Sequence, residues 1–435
     1  MNDSKLAGQI IAELPSLVAK SIIDASAAAA LRRHYEGQIK PARSLAIGLV
    51  ITAILGGLLV GAGIILLLAH NWDDLSKPVR AFLSVLPLLI SIALSGYTIL
   101  RRMDSTAWRE GCGVFYFLSI GASIALVSQT YHLYNDMAGF LFYWIVLTLP
   151  VIYLLNSGTA FAGCLACLVA YSFVLSGYWW RSGFPFSPKP FALLALALPY
   201  YGWHVWRHRE ALSVIWTSWA LAVALPLIML KMVERTNAAS VWAVYGLLAV
   251  VYYLAGCRWF SERSGFKNPF RALGSLAIVV VAIAFTYKGI YVYKSWHVDL
   301  SLAAECFGIV ATLAWLALAG DLLRRKVEFN IVAVLLPVSM AFAIALEGDG
   351  AALFLANIYM LALGIFTLLK GVRRDRLLLM NEGLIVITAL IVSRFFDNDY
   401  SFVVRGVAFI LLGCGFLAVN LSVMNKRRQQ QGGAS

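Results

Sequence analysis

The chain has 435 residues, of which 61% are apolar and only 13% are charged, and its formal net charge is +13. A soluble domain carries about 25% charged residues, so this composition excludes an ordinary soluble enzyme and indicates a lipid environment. No alternating segments of the length of a barrel strand are present, which excludes a transmembrane β-barrel and leaves an all-α bundle.

Residues 1–43 are polar and show a helical pattern. Apolar side chains recur at helical spacing in the first part, and a second helix is predicted from Asp24 as its N-cap. There is no apolar core followed by a cleavage site, so we do not expect a cleaved signal peptide. This segment is predicted to be a small cytoplasmic helical hairpin; its apolar positions are Leu6, Ile10, Ile11 and Leu14.

Residues 44–424 are predicted to form a transmembrane helical domain. A helix needs about 20 apolar residues to cross a hydrocarbon core of about 30 Å, and fourteen runs approach that length. The predicted spans are 44–69, 80–100, 111–130, 140–155, 159–177, 191–206, 211–230, 240–257, 271–287, 301–320, 330–346, 351–370, 377–394 and 402–424. Residues 425–435 are predicted to be a polar cytoplasmic tail.

Charge predicts the orientation of these spans. If the N-terminus lies in the cytoplasm and the spans alternate, most of the 35 Lys and Arg residues fall in cytoplasmic segments. Such a bias in short loops orients membrane proteins. Fourteen spans with both termini in the cytoplasm are therefore predicted, and the positive charge reflects the membrane rather than a nucleic-acid partner.

Several stretches carry a resemblance to a known family. They are SLAIGLVITAILGGLLVGAGIILLLAHNW at 44–72, GASIALVSQTYHL at 121–133 and NEGLIVITALIVSRFFDNDYSFVVRGVAFILLG at 381–413, with the helical LVAKSIIDASAAAALRRHYE at 17–36. Over residues 14–155 and 377–425 the chain resembles bacterial predicted membrane proteins catalogued as domain of unknown function 2157. The resemblance implies a multi-pass protein of the bacterial inner membrane. It implies no activity and no catalytic residue.

Polar side chains accumulate at the predicted outer ends of several spans. A buried charge is costly unless it is paired or hydrated, so such groups usually face the interior of a bundle. One interpretation is a hydrated cavity open to the periplasm. The alternative is a set of capped helix ends and structural ion pairs, such as Glu305 with Arg405. The candidates are His70, Asp73, Asp74, Gln129, His132, Glu305 and Arg405.

On the predicted inner side, Asn381 and Glu382 lie about one turn inside a span, beyond Arg373, Arg374 and Arg376. A local ion pair between Glu382 and one of these arginines is favoured over a cytoplasmic gate.

Glycines predict close helix packing in two spans. Gly57, Gly61 and Gly63 form a small-residue stripe on the first span, which lets another helix approach closely. Gly111, Gly113 and Gly121 predict a similar approach for the third span.

No metal site and no cofactor are predicted. His204 and His208 share a helix face, but cationic neighbours flank them and a third ligand is missing. Cys164 and Cys167 have redox spacing but lie inside an apolar helix, where packing is the simpler role.

Three functions remain open. An ion-coupled transporter, or a flippase for a lipid or small molecule, would use a periplasm-facing polar cavity, with Asp73, His132 or Glu305 carrying the proton. A non-catalytic scaffold or sensor would act through residues 1–43 on a protein partner. A membrane enzyme acting on a lipid-linked substrate is less favoured, because every predicted outer loop is short.

Overall fold

The computed structural model consists of helices joined by short connections. It describes residues 3–20, 22–36, 74–132, 136–175, 187–208, 211–230, 238–263, 265–287, 302–345 and 349–397, with six positions between 407 and 417. Every regular element among these residues is helical. The chain divides into two compact units, residues 1–83 and residues 84–435.

The first unit contains the predicted helical hairpin. Helix α1 (Asp3–Ala19) and helix α2 (Ala25–Glu36) pack against each other, and Leu14 is buried. Asp24 caps α2 as expected, because its carboxylate accepts hydrogen bonds from the amide of Ala25 at 2.8 Å and the hydroxyl of Ser26 at 2.7 Å. The hydrogen bond from Ser26 is the main reason that the pKa of Asp24 is lowered.

Thirteen further α-helices follow within the described residues. They are α3 (Lys77–Arg101), α4 (Thr106–Tyr131), α5 (Met137–Leu155), α6 (Gly158–Leu175), α7 (Lys189–Arg207), α8 (Leu212–Leu230), α9 (Ala238–Trp259), α10 (Pro269–Phe285), α11 (Leu302–Arg324), α12 (Ile331–Val334), α13 (Leu336–Ala345), α14 (Asp349–Arg373) and α15 (Leu377–Asp397). A short 3₁₀ turn (Gly265–Lys267) precedes α10.

These helices follow the predicted spans closely, with one difference. A single span was predicted at 330–346, but the structure has two helices that meet at Leu335. Pro337 accounts for the break, because proline removes a backbone donor and its ring clashes with the carbonyl four residues earlier.

Nine helices among the described residues are long and apolar enough to cross a membrane. They are α3, α4, α5, α6, α8, α9, α11, α14 and α15. Helix α10 is apolar but shorter, at 17 residues. The first and last of the fourteen predicted spans, and the stripe of Gly57, Gly61 and Gly63, lie outside the described residues.

Two large clusters and one small cluster of buried apolar side chains lie in the described part of the second unit; the small one consists of Cys112, Val151 and Leu155. Helices α5 to α8 form the first cluster, and α10 to α15 form most of the second. Helix α9 contributes to both, with Leu248 and Tyr252 in the first and Val250 and Leu254 in the second. Helix α9 is therefore packed against apolar side chains of both clusters.

Glycines allow the closest helix pairs to form. A methyl group on Gly274 of α10 would lie 2.4 Å from the amide nitrogen of Tyr253 in α9, and one on Gly383 of α15 would lie 2.4 Å from the amide nitrogen of Leu368 in α14. The close approach predicted at Gly113 and Gly121 is also confirmed, since Ser157 and Trp144 lie against them. For Gly111 no such approach is seen among the described residues, because none of them lies within 4 Å of a methyl group placed there.

Candidate functional site

A cavity of about 260 Å³ lies in the second unit where the ends of several helices meet. The end of α9, the start of α10, the approach to α12, the end of α14 and the start of α15 all contribute side chains. Its lining combines an apolar floor with charged and amide groups: Tyr253, Cys257, Ser261, Arg271, Ser275, Ile278, Val279, Val327, Glu328, Asn330, Ala333, Leu363, Thr367, Lys370, Arg374, Arg376, Leu379, Glu382 and Val386.

Asn268 fixes the start of α10 and so positions Arg271. Its buried side-chain amide donates to the carbonyls of Gly256 and Phe260, both at 2.9 Å, at the end of α9. Its oxygen accepts from the amide of Arg271 at 3.1 Å, which is an ordinary N-cap contact. The guanidinium of Arg271 is therefore carried by a helix start that is bonded to its neighbour.

Asn330 joins three segments at the opposite wall. Its amide nitrogen donates to the hydroxyl of Tyr253 at 2.9 Å, and its side-chain nitrogen donates to the hydroxyl of Thr367 at 2.8 Å. Its side-chain oxygen accepts from Val332 and Ala333 and caps α12. These bonds link α9, α12 and α14, so this wall of the cavity is held by hydrogen bonds as well as by apolar packing.

Four cations and two carboxylates line the cavity. The ammonium group of Lys370 donates to the carbonyl oxygen of Phe329 at 3.0 Å. Arg374 forms an ion pair with Glu328. The cations Arg271 and Arg376 make no side-chain hydrogen bond or ion pair to another residue that the structure describes.

Glu382, one of the two inner-side candidates, lies in this cavity. It is half-buried, about 8 Å along α15 from the first residue, and the charge of Arg271 acts on it. No ion pair joins Glu382 to Arg373, Arg374 or Arg376, which are all described, and Arg374 pairs with Glu328 instead. The other candidate, Asn381, does not line the cavity, and its side-chain oxygen is buried without a partner among the described residues.

The arrangement can attract an anion. Positive charges exceed negative ones in the lining, and part of the lining is apolar, which lowers the local dielectric constant and strengthens electrostatic interactions. Arginine adds planar, paired donors that match carboxylate or phosphate oxygens.

Four of the seven outer candidates lie in the described part of the chain. Asp74 is exposed in the turn before α3, in the first unit. In the second unit, Gln129 and His132 are exposed at the end of α4, and Glu305 is exposed in the first turn of α11. No hydrogen bond or ion pair joins Gln129 or His132 to Glu305. His70, Asp73 and Arg405 lie outside the described residues, so the predicted periplasmic cavity stays a prediction.

Two polar groups have structural roles, and of these Glu110 was not singled out from the sequence. Glu110 in α4 accepts hydrogen bonds from the amides of Gly158 and Thr159 and from two hydroxyls at the start of α6. Arg394 at the end of α15 donates to the carbonyl oxygen of Thr286 at the end of α10. The sequence signal for Glu110 was a carboxylate within an apolar run. The donors that it binds come from the Ser-Gly-Thr stretch at the start of α6.

The His and Cys pairs have packing roles in the structure. The ring of His204 stacks on Tyr200 and shares a hydrogen bond of 3.0 Å with the hydroxyl of Ser213. Cys164 and Cys167 are free thiols buried in the first apolar cluster. Within the described ranges no group of three His, Cys, Asp or Glu side chains could hold a metal ion.

Comparison with known proteins supplies one match. Residues 15–161 match the model of a family described as predicted membrane proteins, domain of unknown function 2157. This match confirms the resemblance for the first part of the chain, and with the apolar helices it identifies a membrane protein. The resemblance at 377–425 lies outside the matched residues. No curated protein and no solved structure matches the chain.

Proposed function

We propose that this membrane protein is a transporter or flippase of the bacterial inner membrane, with both termini in the cytoplasm. The single observation that carries the proposal is the charged cavity at the meeting ends of α9, α10, α14 and α15. In the predicted topology all these ends lie on the cytoplasmic side, so the cavity would be the entry or exit for a polar substrate.

The free-energy cost of placing charged side chains within a membrane domain supports this function. Glu382 and Arg271 are half-buried in helices that are mainly apolar. A charged group at membrane depth is expensive, and such groups usually mark a substrate or ion pathway or pair with one another. Neither group forms a close ion pair with a residue that the structure describes, which favours the pathway.

The predicted outer groups would serve the opposite side of the membrane. In alternating access a central site opens to one face and then to the other, so an outer polar cavity and an inner one are compatible. His70, Asp73, Asp74, Gln129, His132, Glu305 and Arg405 would line the periplasmic opening. Coupling to a proton gradient would use Asp73, His132 or Glu305.

Lipid and solute movement in proteoliposomes tests this function. We expect purified protein to accelerate the exchange of fluorescent lipids between leaflets, or the uptake of a polar solute, above the rate of protein-free vesicles. Glu382→Gln should change that rate about tenfold, which corresponds to about 1.4 kcal/mol in the barrier. Asp104→Asn, which alters an exposed carboxylate outside the cavity lining, is the matched control. Rates equal to those of empty vesicles, with and without a proton gradient, would refute transport.

A scaffold or sensor is the second candidate. The observation that favours it is that residues 1–83 form a compact unit of their own, with exposed Ile22 and Leu31 on the helical hairpin. Deletion of residues 1–43 separates the two functions: transport by the remaining chain should persist, whereas a scaffold would lose its protein partner.

A further inference from the structure

We propose that the cavity binds an anion bearing a phosphate group, held by Arg271, Lys370 and Arg376. This inference deepens the proposed function, on whose cavity it rests, by naming the chemical class of its substrate. The same phosphate chemistry is found in a lipid headgroup and in a free phosphate ester, and the experiment below distinguishes these sources.

The charges of the cavity are not balanced by one another. Glu328 is paired with Arg374, so its charge is compensated within the lining. Three cations then remain against the single carboxylate of Glu382. Arg271 and Lys370 are half-buried, so their uncompensated charge raises the free energy of the cavity and a bound anion lowers it, whereas Arg376 is exposed and adds a solvated donor.

The donors available suit a tetrahedral oxyanion. Arg271 and Arg376 present planar guanidinium groups with no described hydrogen-bond partner, and such groups bind two oxygens of a phosphate at once. Lys370 uses one of its three donors on the carbonyl of Phe329, which leaves two. The helix start that carries Arg271 is fixed by Asn268, so little ordering is needed when the anion binds.

The size of the cavity limits the ligand. Pockets for drug-sized ligands occupy about 300–1,000 Å³. At about 260 Å³ this cavity is slightly smaller, so it fits a phosphate with a short polar group. A complete phospholipid would place only its headgroup there and keep its acyl chains in the bilayer.

Glu382 has the opposite effect from the cations. Its carboxylate lies within the electrostatic reach of Arg271 and repels a bound anion. Removing its charge by Glu382→Gln, which keeps a polar side chain of similar size, should therefore strengthen anion binding. A purely structural carboxylate would give the reverse result, a less stable protein with no gain in affinity.

Equilibrium binding to the purified full-length protein in detergent tests the inference. Calorimetry measures the binding of four probes: inorganic phosphate, glycerol phosphate, short-chain phosphatidylglycerol and short-chain phosphatidylcholine. Arg271→Gln and Arg376→Gln should each weaken binding about tenfold, in line with the loss of a charge-assisted hydrogen bond. Glu382→Gln should tighten it severalfold, and added salt should weaken it.

Arg325→Gln is the matched control. Arg325 lies at the end of α11, pairs with Asp321 at 2.8 Å and does not line the cavity, so its loss removes the same charge elsewhere. Thermal unfolding of every variant shows whether it is folded. Binding of the phosphatidylglycerol alone identifies a lipid headgroup, whereas binding of glycerol phosphate with similar affinity identifies a free phosphate ester.

The inference and the proposed function can fail separately. If no phosphate-bearing probe binds the folded wild-type protein, or if Arg325→Gln weakens binding as much as Arg271→Gln, the anion site is wrong even where transport is observed. If phosphate binds as expected and proteoliposomes show no transport, the anion site stands and the transport function is wrong.

Discussion

At the scale of single residues, Glu110 shows how one carboxylate joins two helices. It accepts hydrogen bonds from the amide of Thr159 at 2.8 Å and its hydroxyl at 2.7 Å, from the hydroxyl of Ser157 at 3.0 Å and from the amide of Gly158 at 3.2 Å. The negative charge lies at the N-terminus of α6, where unpaired amides attract anions. The carboxylate therefore caps α6 from outside its own helix.

Replacing this carboxylate should destabilise the protein. We expect Glu110→Ala to lower the free energy of unfolding by about 1–3 kcal/mol, because buried donors at the start of α6 lose their acceptor. The measurement is thermal or denaturant unfolding in detergent. Asp104→Asn in the preceding loop should have little effect, because Asp104 is exposed. Equal stability of the two variants would contradict the capping role.

The residue scale also shows what sequence could not resolve. The position of Glu382 about one turn inside a span was predictable from hydropathy, since helix limits are local properties. Whether it would pair with Arg374 was not predictable, because Arg374 pairs with Glu328, which lies in a loop more than forty residues earlier in the sequence. Which cation a carboxylate meets depends on how helices pack.

At the scale of elements, backbone contact between helices decides which pairs are closest. Gly383 of α15 faces the backbone of α14, where a methyl group would lie 2.4 Å from the amide nitrogen of Leu368 and 2.8 Å from the carbonyl oxygen of Gly364. Backbone atoms cannot rotate away as a flexible side chain can. Small residues at such positions let membrane helices pack by van der Waals contact.

Adding one methyl group at Gly383 should separate these helices. We expect Gly383→Ala to lower stability by about 1–3 kcal/mol through overpacking. Gly308→Ala in α11 is the control, since no residue that the structure describes lies within 4 Å of a methyl group placed there and alanine has a higher helix propensity than glycine. The free energy of unfolding in detergent is measured for both variants. If Gly383→Ala is as stable as Gly308→Ala, the backbones of α14 and α15 are not in close contact at this position.

The α12–α13 break illustrates the limit of hydropathy at this scale. The apolar run from 330 to 346 predicted one helix because its composition is uniform. Asn330 instead caps a first short helix, and Pro337 separates it from the second at Leu335. A local polar cap and a missing backbone donor outweighed the average hydropathy.

At the scale of the whole molecule, the predicted topology connects the helices to function. In the second unit the ends of α9 and α14 and the starts of α10 and α15 surround one cavity. If the predicted spans cross the membrane in alternating directions from a cytoplasmic N-terminus, these four ends lie on the cytoplasmic side. The orientation itself is a prediction from the distribution of Lys and Arg.

Labelling of single cysteines in intact cells tests this orientation. In a background with the native cysteines replaced, Arg325→Cys should be protected from an impermeant maleimide and should react once the membrane is permeabilised. Asp74→Cys should react without permeabilisation. The replaced background is needed because Cys306 and Cys414 are exposed. Reaction of Arg325→Cys from outside would reverse the topology and place the cavity on the periplasmic side.

The sequence by itself determined the environment and the helices of this protein. Hydropathy and backbone hydrogen bonding act along one segment at a time, so the apolar runs predicted the limits of α3 to α11 within a few residues. Only the tertiary structure decided that Arg271, Lys370 and Glu382 line one cavity, although they come from three different helices. The physical reason is that a cavity is made by the packing of helices distant in sequence, which depends on shape, on glycine contacts and on the few polar groups that join their ends.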